Sequence, residues 1–504
     1  MSHAAPAADL PLIARARDRP DRIALVDRDA GCTYGDLLAA SARVAATLLD
    51  GRPDLAEARV AFLTPADFSY VATQWGIWRA GGIAVPVATS HPPAEWAYVL
   101  RDSGAALVIA GEGFADALRP VARAAGIPML TSARALETPP TTGLPAVAAG
   151  RRAMMVYTSG TTGRPKGVVS THANLASQVT CLIEAWHWTP DDRILLALPM
   201  HHVHGIVNVL TCALWAGAAC EMLPAFDADI VWDRLASGDL TLFMAVPTIY
   251  RKLIAAWEAA PPERRLALSA GAARVRLMVS GSAALPVQTL ERWREITGHT
   301  LLERYGMTEI GMALSNPLEG ERRPGFVGTP LPGVQVRLVD ESGRPAPADA
   351  PGEIEVRGGN VFLEYWGRPE ATRDAFRDGW FRTGDVAAVE RGAYRILGRT
   401  SVDIIKTGGY KVSALEIEEI LRHHPAILEC AVVGVADPEW GERVAAAVEL
   451  RPGASLELEA LERWAREQLA PYKIPRALRI VPSLPRNAMG KVTKPDVAAL
   501  FRDG

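Results

Sequence analysis

Eleven residues, Tyr157-Thr-Ser-Gly-Thr-Thr-Gly-Arg-Pro-Lys-Gly167, bring together four Ser/Thr hydroxyls, three glycines and a lysine. Phosphate oxygens need many donors at close range. Glycines let backbone N–H groups approach, hydroxyls add donors, and lysine supplies charge. Thr158, Ser159, Gly160, Thr161, Thr162, Gly163 and Lys166 are therefore candidate phosphate ligands. The run is not a Walker loop, because Gly167 stands where that loop needs Ser or Thr after its lysine. A second set of residues could hold an anion. Arg304 precedes Tyr305-Gly306, Arg251 and Lys252 follow Val246-Pro-Thr-Ile-Tyr250, and His202 lies in Leu198-Pro-Met-His-His-Val-His-Gly205. The His201, His202 and His204 trio has no cysteine or carboxylate at ligand spacing, which disfavours zinc.

Stepping outward, a strand-like segment Ala153–Tyr157 feeds the glycine-rich run, and the apolar Val168–Val169 follows it. A flexible linker does not usually sit between two such segments. Short β-branched runs at 59–63, 106–110 and 274–279 alternate with helical patterns, which predicts βαβ units around largely parallel sheets. Near residue 330 the texture changes. Segments 334–339, 352–356 and 393–397 alternate apolar and polar residues between Gly/Pro turns, as antiparallel strands of a smaller barrel-like subdomain do. The last hundred residues predict a helix over 414–423, strands over 428–435 and 443–450, an amphipathic helix with Leu458, Leu461, Ala465 and Leu469 on one stripe, and a strand over 477–481. The fold class expected is α/β: a large domain 1–399 of mixed βαβ sheets, then a small mobile α+β domain 400–504.

The 504 residues are too many for one ordinary core. Lys plus Arg is 54 and Asp plus Glu is 57, so no global positive field exists to hold a nucleic-acid backbone. Five scattered cysteines without a C-x-x-C pair indicate neither a disulfide framework nor a zinc cluster, and fit a reducing compartment. The first twenty residues lack an apolar run of signal-peptide length, so a cytoplasmic protein is expected. The uncharged stretch 194–220 contains Pro199, three histidines and Asn208, and reads as buried strand, polar loop and buried helix rather than a membrane span.

The loop at 157–167 resembles the one that defines the adenylate-forming superfamily of acyl-CoA synthetases, peptide-synthetase adenylation domains and luciferases. The resemblance covers almost the whole chain. Tyr305-Gly-Met-Thr-Glu309, Thr383-Gly-Asp385, Gly398-Arg399 and Pro485-Arg-Asn-Ala-Met-Gly-Lys491 follow in the superfamily's order. The resemblance implies that a carboxylate attacks the α-phosphorus of ATP, and that the thiol of coenzyme A then displaces AMP. It implies that the loop grips the β- and γ-phosphates, that Glu309 is a Mg²⁺ ligand, and that Thr308 contacts the α-phosphate. Tyr305 and Gly306 would lie on adenine, with Gly281, Ser282 and Ala283 along its other side. Asp385 would bind the ribose hydroxyls with Arg399 assisting, and Lys491 would bridge the attacking carboxylate and the α-phosphate. Gly408 and Gly409 would border the pantetheine channel. Ser401 falls at the hinge position, where the superfamily usually has Asp or Lys. Without the motif order, Asp385 would read as a turn residue and Lys491 as surface solvation.

Leu302-Glu-Arg-Tyr-Gly-Met-Thr-Glu309, Ser280-Gly-Ser-Ala-Ala284 and the segment 399–411 are similar to malonyl-CoA and methylmalonyl-CoA synthetases, and most of all to the subgroup that is mitochondrial in eukaryotes. That similarity implies a small diacid whose free carboxylate is held by Arg304 and Ser282, with Lys252 where those enzymes commonly carry Arg and with Arg251 as its alternative. His202 is expected among the catalytic residues. A ligase for another short-chain or aryl acid, a module loading a carrier protein in trans, and a non-catalytic binder are the competing readings. Neither nucleic acid nor membrane is an expected partner, and the oligomeric state is not legible.

Overall fold

The computed structural model describes residues 10–27, 30–140, 143–158, 164–347, 350–487 and 490–502. Ser159, Gly160, Thr161, Thr162 and Gly163 lie outside the described residues.

The predicted alternation of strands and helices builds two large sheets. In the first, the central strands Leu302–Met307, Leu277–Ser280, Leu242–Ala245, Arg193–Leu196, Ala219–Met222 and Ile23–Asp27 run parallel in that spatial order. Gly311–Ser315 and Ala30–Thr33 extend it antiparallel. The second sheet orders Glu364–Tyr365, Lys166–Thr171, Arg152–Thr158, Ile83–Pro86, Arg59–Leu63, Leu107–Ala110 and Met129–Thr131. Its inner strands are apolar on both faces, as strands covered by helices on each side must be.

Local chemistry starts the helix between the sheets. Thr171 and Asn174 form a reciprocal cap that opens helix His172–Ala185. Gln178 on that helix accepts from the Met312 amide at 2.7 Å, tying it to the first sheet. A buried ion pair fixes the strand ends. Asp192 accepts from Nε and Nη2 of Arg276 at 2.7 Å each and from the Thr241 hydroxyl at 2.7 Å. The uncharged stretch 194–220 resolves into strand Arg193–Leu196, a polar loop, a π-helical segment His204–Thr211 and helix Cys212–Ala216. Among the described residues no helix is long and apolar enough to cross a membrane.

The change of texture near 330 marks a smaller antiparallel sheet: Val334–Val339, Gly352–Gly358, Trp380–Glu390 and Phe376–Arg377, with Ala393–Arg399 along Trp380–Glu390. Beyond it, strands Tyr410–Ser413, Ile404–Thr407, Gly441–Leu450 and Ile427–Asp437 form a fourth sheet, joined by Ala477–Ile480. Helices Ala414–Leu421 and Leu458–Ala465 cover one face of it, and Lys494–Ala499 covers the other. The apolar stripe Leu461, Ala465 and Leu469 is buried there as its spacing requires.

Candidate active site

The site lies at the carboxyl ends of the first sheet's parallel strands, where open α/β sheets expose backbone and side chains to ligands. Strand Leu302–Met307 carries Arg304 and Tyr305 on opposite faces and runs into the turn that holds Thr308 and Glu309.

Tyr305 donates its hydroxyl to Asp385 Oδ2 at 2.6 Å. Arg399 donates Nε to Asp385 Oδ1 at 2.8 Å, and the Thr383 hydroxyl accepts from the Asp385 amide at 3.1 Å. Three sequence-distant motifs thus converge on one carboxylate that accepts from two side chains. Antiparallel pairing sets Asp385 opposite Arg399, which explains their meeting across the smaller sheet.

Glu309 is buried, and burial pushes its carboxyl above the usual range. Its Oε1 accepts from the Tyr365 hydroxyl at 2.9 Å. Lys166, whose Nζ lies 4.9 Å from the Tyr365 ring centroid, opposes that shift. Among the described residues no three carboxylates, histidines or cysteines gather as a metal cluster. One carboxylate still suits a hard cation that keeps waters and takes phosphate oxygens, which is how Mg²⁺ accompanies nucleotides. The donor set therefore fits a Mg²⁺ that arrives with a polyphosphate. Thr158 ends strand Arg152–Thr158 opposite Lys166, so the described flanks of the glycine-rich loop reach this same corner.

Arg304 is the strongest electrostatic feature. It is 3% exposed, and its Nε and Nη2 have no hydrogen-bond partner. Its neighbour Glu303 faces away, accepting from the Leu285 amide at 3.0 Å, and forms no ion pair with it. Burial holds the guanidinium down to about 9. The backbone at Gly281 passes directly beneath it, and a β-carbon there would overlap the guanidinium. Ser282, in the left-handed region at φ 70°, points its hydroxyl at His204 Nδ1, 3.2 Å away. Ala283 is exposed, and Gly306 and Thr308 are half-buried.

Lys491, on the loop that follows strand Ala477–Ile480, lies close enough to Arg304, Arg399 and Asp385 to feel their charges. Burial, with the nearby charges of Arg304 and Arg399, lowers its ammonium to about 8, while Asp385 opposes the shift. His204 is buried and His202 half-buried, desolvation holds both well below the usual imidazole range, and Lys491 contributes to each. For His204 the largest charge is Arg304, whereas His202 lies against His201, with ring centroids 4.2 Å apart. His204 is thus the histidine that joins Arg304 and Ser282, whereas the sequence reading named His202 as a catalytic residue and did not single out His204. His204 opens the π-helical segment, which nothing in the sequence marks.

The structure does not bring Arg251 and Lys252 to Arg304. Both are exposed on helix Pro247–Ala259. Lys252 lies over the Phe226 ring, 5.6 Å from its centroid, and Arg251 pairs with Glu429 at 2.5 Å. Adjacent helical residues point about 100° apart, and both of these fall on the outward arc. Gly408 and Gly409 form the exposed turn between Ile404–Thr407 and Tyr410–Ser413, and Ser401 lies in an exposed turn after Arg399. Tyr365, the donor to Glu309, was also missed; nothing in its sequence neighbourhood marks it.

Residues 12–366 match the family described as AMP-binding enzyme, and residues 416–491 match the AMP-binding enzyme C-terminal domain. The chain is similar to the mitochondrial malonate–CoA ligase of Xenopus laevis, 49% identical over 98% of this chain and 92% of that protein. It is also similar to the ATP-bound structure of MatB from Rhodopseudomonas palustris, 36% identical with a TM-score of 0.91 over 98% of this chain and 99% of that one. Against the apo structure of MatB the TM-score is 0.81 at the same coverage.

Proposed function

The chain belongs to the AMP-binding enzyme family, and from that premise we propose that it ligates malonate to coenzyme A, using ATP and passing through an acyl-adenylate. The observation that carries the acid specificity is the buried, unpartnered guanidinium of Arg304. A buried cation without a counter-ion is costly, and a bound carboxylate relieves that cost through two parallel N–H···O bonds. A monocarboxylate activated at its only acid group has nothing to offer Arg304. A diacid activated at one end has.

In the first half-reaction one carboxylate oxygen of malonate attacks the α-phosphorus, and pyrophosphate leaves. Two anions must meet, so positive charge at the encounter lowers the barrier. Lys491 supplies it between the carboxylate and the α-phosphate. Asp385 accepts the ribose hydroxyls, with Arg399 and Tyr305 fixing its orientation. Thr308 and the described flank of the phosphate loop, Thr158 and Lys166, hold the triphosphate. Glu309 would hold Mg²⁺, which when bound neutralises the polyphosphate. Ser282 and His204 orient the distal carboxylate beside Arg304. In the second half-reaction the thiol sulfur attacks the acyl carbon, AMP leaves, and the thiol proton passes to solvent. That step needs Lys491 withdrawn to admit the thiol. We read residues 400–504 as a domain that turns about Ser401 and presents Gly408-Gly409 in its place. The larger likeness to ATP-bound MatB than to its apo form supports reading the present arrangement as the adenylating one.

The test is a panel of mono- and dicarboxylates with ATP, with and without coenzyme A, followed by pyrophosphate release. Malonate should lead and acetate should be poor, with methylmalonate measuring how much room remains beside the reacting carbon. Equal use of acetate, propionate or benzoate would sink the diacid reading and leave a short-chain or aryl ligase. Product formation only with a carrier protein added in trans would replace coenzyme A as the acceptor.

A further inference from the structure

Arg251, freed from any part in acid binding, has another role. We propose that the contact between Arg251 and Glu429 is a latch that holds Lys491 in the adenylating position, making Arg251 a positioning residue for the first half-reaction only. This rests on the reading that Lys491 serves that half-reaction.

Glu429 lies on strand Ile427–Asp437, where its carboxylate is largely buried and meets three guanidinium groups. Arg422 donates Nε to Oε1 at 3.1 Å, Arg251 donates Nη1 to Oε2 at 2.5 Å, and Arg486 stands 3.7 Å from Oε2. Arg422 belongs to the same C-terminal sheet and helix layer. Arg251 comes from helix Pro247–Ala259 of the first sheet's layer. Arg486 belongs to the segment that carries the lysine, and its Nη1 donates to the Gly490 carbonyl at 2.9 Å. One carboxylate therefore links the helix on one side to the lysine loop on the other. One turn earlier on the same helix, Thr248 flanks that loop: a β-carbon added at Gly490 would come within 3.8 Å of its hydroxyl.

The loop's internal bonds fix its shape but not its place. Lys491 donates its amide to Asn487 Oδ1 at 3.0 Å and accepts from the Asn487 amide at 2.9 Å, and both groups travel with the loop. A second contact joins the two parts elsewhere. The Val287 amide donates to Glu419 Oε1 at 3.1 Å, and Gln288 Nε2 donates to the Arg422 carbonyl at 2.9 Å. Loss of Arg251 thus loosens the docking without abolishing it. The pair is half-exposed, which suits a contact that must break once per turnover.

The experiment compares Arg251→Ala and Arg251→Lys with the wild type in the full chain. Malonate-dependent ATP–pyrophosphate exchange should fall roughly two- to fivefold in the alanine variant and recover most of that loss in the lysine variant. Thiolation of preformed malonyl-adenylate should be unchanged or faster. Hydrogen exchange across residues 485–493 with ATP bound should quicken in the alanine variant. Equal loss in both half-reactions, or unchanged pyrophosphate exchange, would overturn the latch. So would unchanged hydrogen exchange, a readout that needs no acid and stands even if another acid proves to be the substrate.

Discussion

Two arginines of this molecule, one buried at 3% exposure and one mostly covered at 18%, live opposite electrostatic lives. Arg422, at the end of helix Ala414–Leu421, meets Glu429 at 3.1 Å, Glu419 at 3.5 Å and Glu418 at 3.6 Å, and its guanidinium is held above its ordinary range by that company. Arg304, on strand Leu302–Met307, has no salt bridge among the described residues and is pulled down to about 9 by burial. The first serves the fold, where a desolvated charge is neutralised within the chain. The second leaves a desolvated charge without a partner in the chain, as the proposed role in holding the acid requires. Asp192 with Arg276, and Glu355 between Arg337 and Arg377, follow the pattern of Arg422. The contrast therefore separates scaffold from site by whether a buried charge already has its partner.

The largest break of this contrast lies in Lys491, the other cation drawn into the Arg304 cavity. Lys491→Ala should lower acyl-adenylate formation by about 10³-fold while a preformed adenylate is still thiolated, because only the first step brings two anions together. Separate assays of the two half-reactions decide it, and equal losses would place Lys491 in the scaffold class with Arg422. Next in size is a pair of stability measurements. Arg422→Met removes the shared partner of Glu418, Glu419 and Glu429 and should cost about 1–3 kcal/mol, because Lys494, Arg251 and Arg486 remain on two of them, whereas Arg304→Met removes a buried unpaired charge and should be neutral or stabilising by about 1–4 kcal/mol without substrate. Denaturant unfolding of the two variants checks the opposite signs, and a large loss from Arg304→Met would erase the distinction.

A smaller effect sharpens the comparison through pH. With the ammonium held to about 8 by burial and by neighbouring cations, Lys491 is charged below that pH and neutral above it. The kcat/KM of adenylation should therefore fall by up to about tenfold per pH unit above about 8, where an ordinary lysine would persist beyond pH 10. Bound anions restore the charge, so the same limb in kcat should lie at higher pH. Profiles at low and saturating malonate test this. Superimposable limbs would mean that no bound anion reaches the lysine.

Much of this was legible in the sequence, for identifiable reasons. Repeated apolar runs between turn residues defined the parallel strands, and Ser413 capping the Glu416 amide at 3.1 Å shows why the C-terminal helix begins where its periodicity begins. Motif order brought Tyr305, Asp385 and Arg399 into one group, which their spacing alone would not have done. Side-chain direction was the weak point. Arg251 and Lys252 looked like anion ligands from their types and neighbours, yet the helix turns both outward. His204 rather than His202 meets Ser282, because the backbone widens into a π-helical segment that chain order does not announce. Tyr365 reaches Glu309 across 56 residues, a pairing set by Glu364–Tyr365 adding to the edge of the second sheet.

The central claim is that Arg304 is a cation waiting for the second carboxylate of the acid. Its most direct test is the ratio of malonate to acetate specificity constants in ATP–pyrophosphate exchange, wild type against Arg304→Met. The ratio should collapse by about 10²-fold or more, through loss of malonate activation with acetate activation unchanged. A ratio that stays within about twofold of wild type would contradict it.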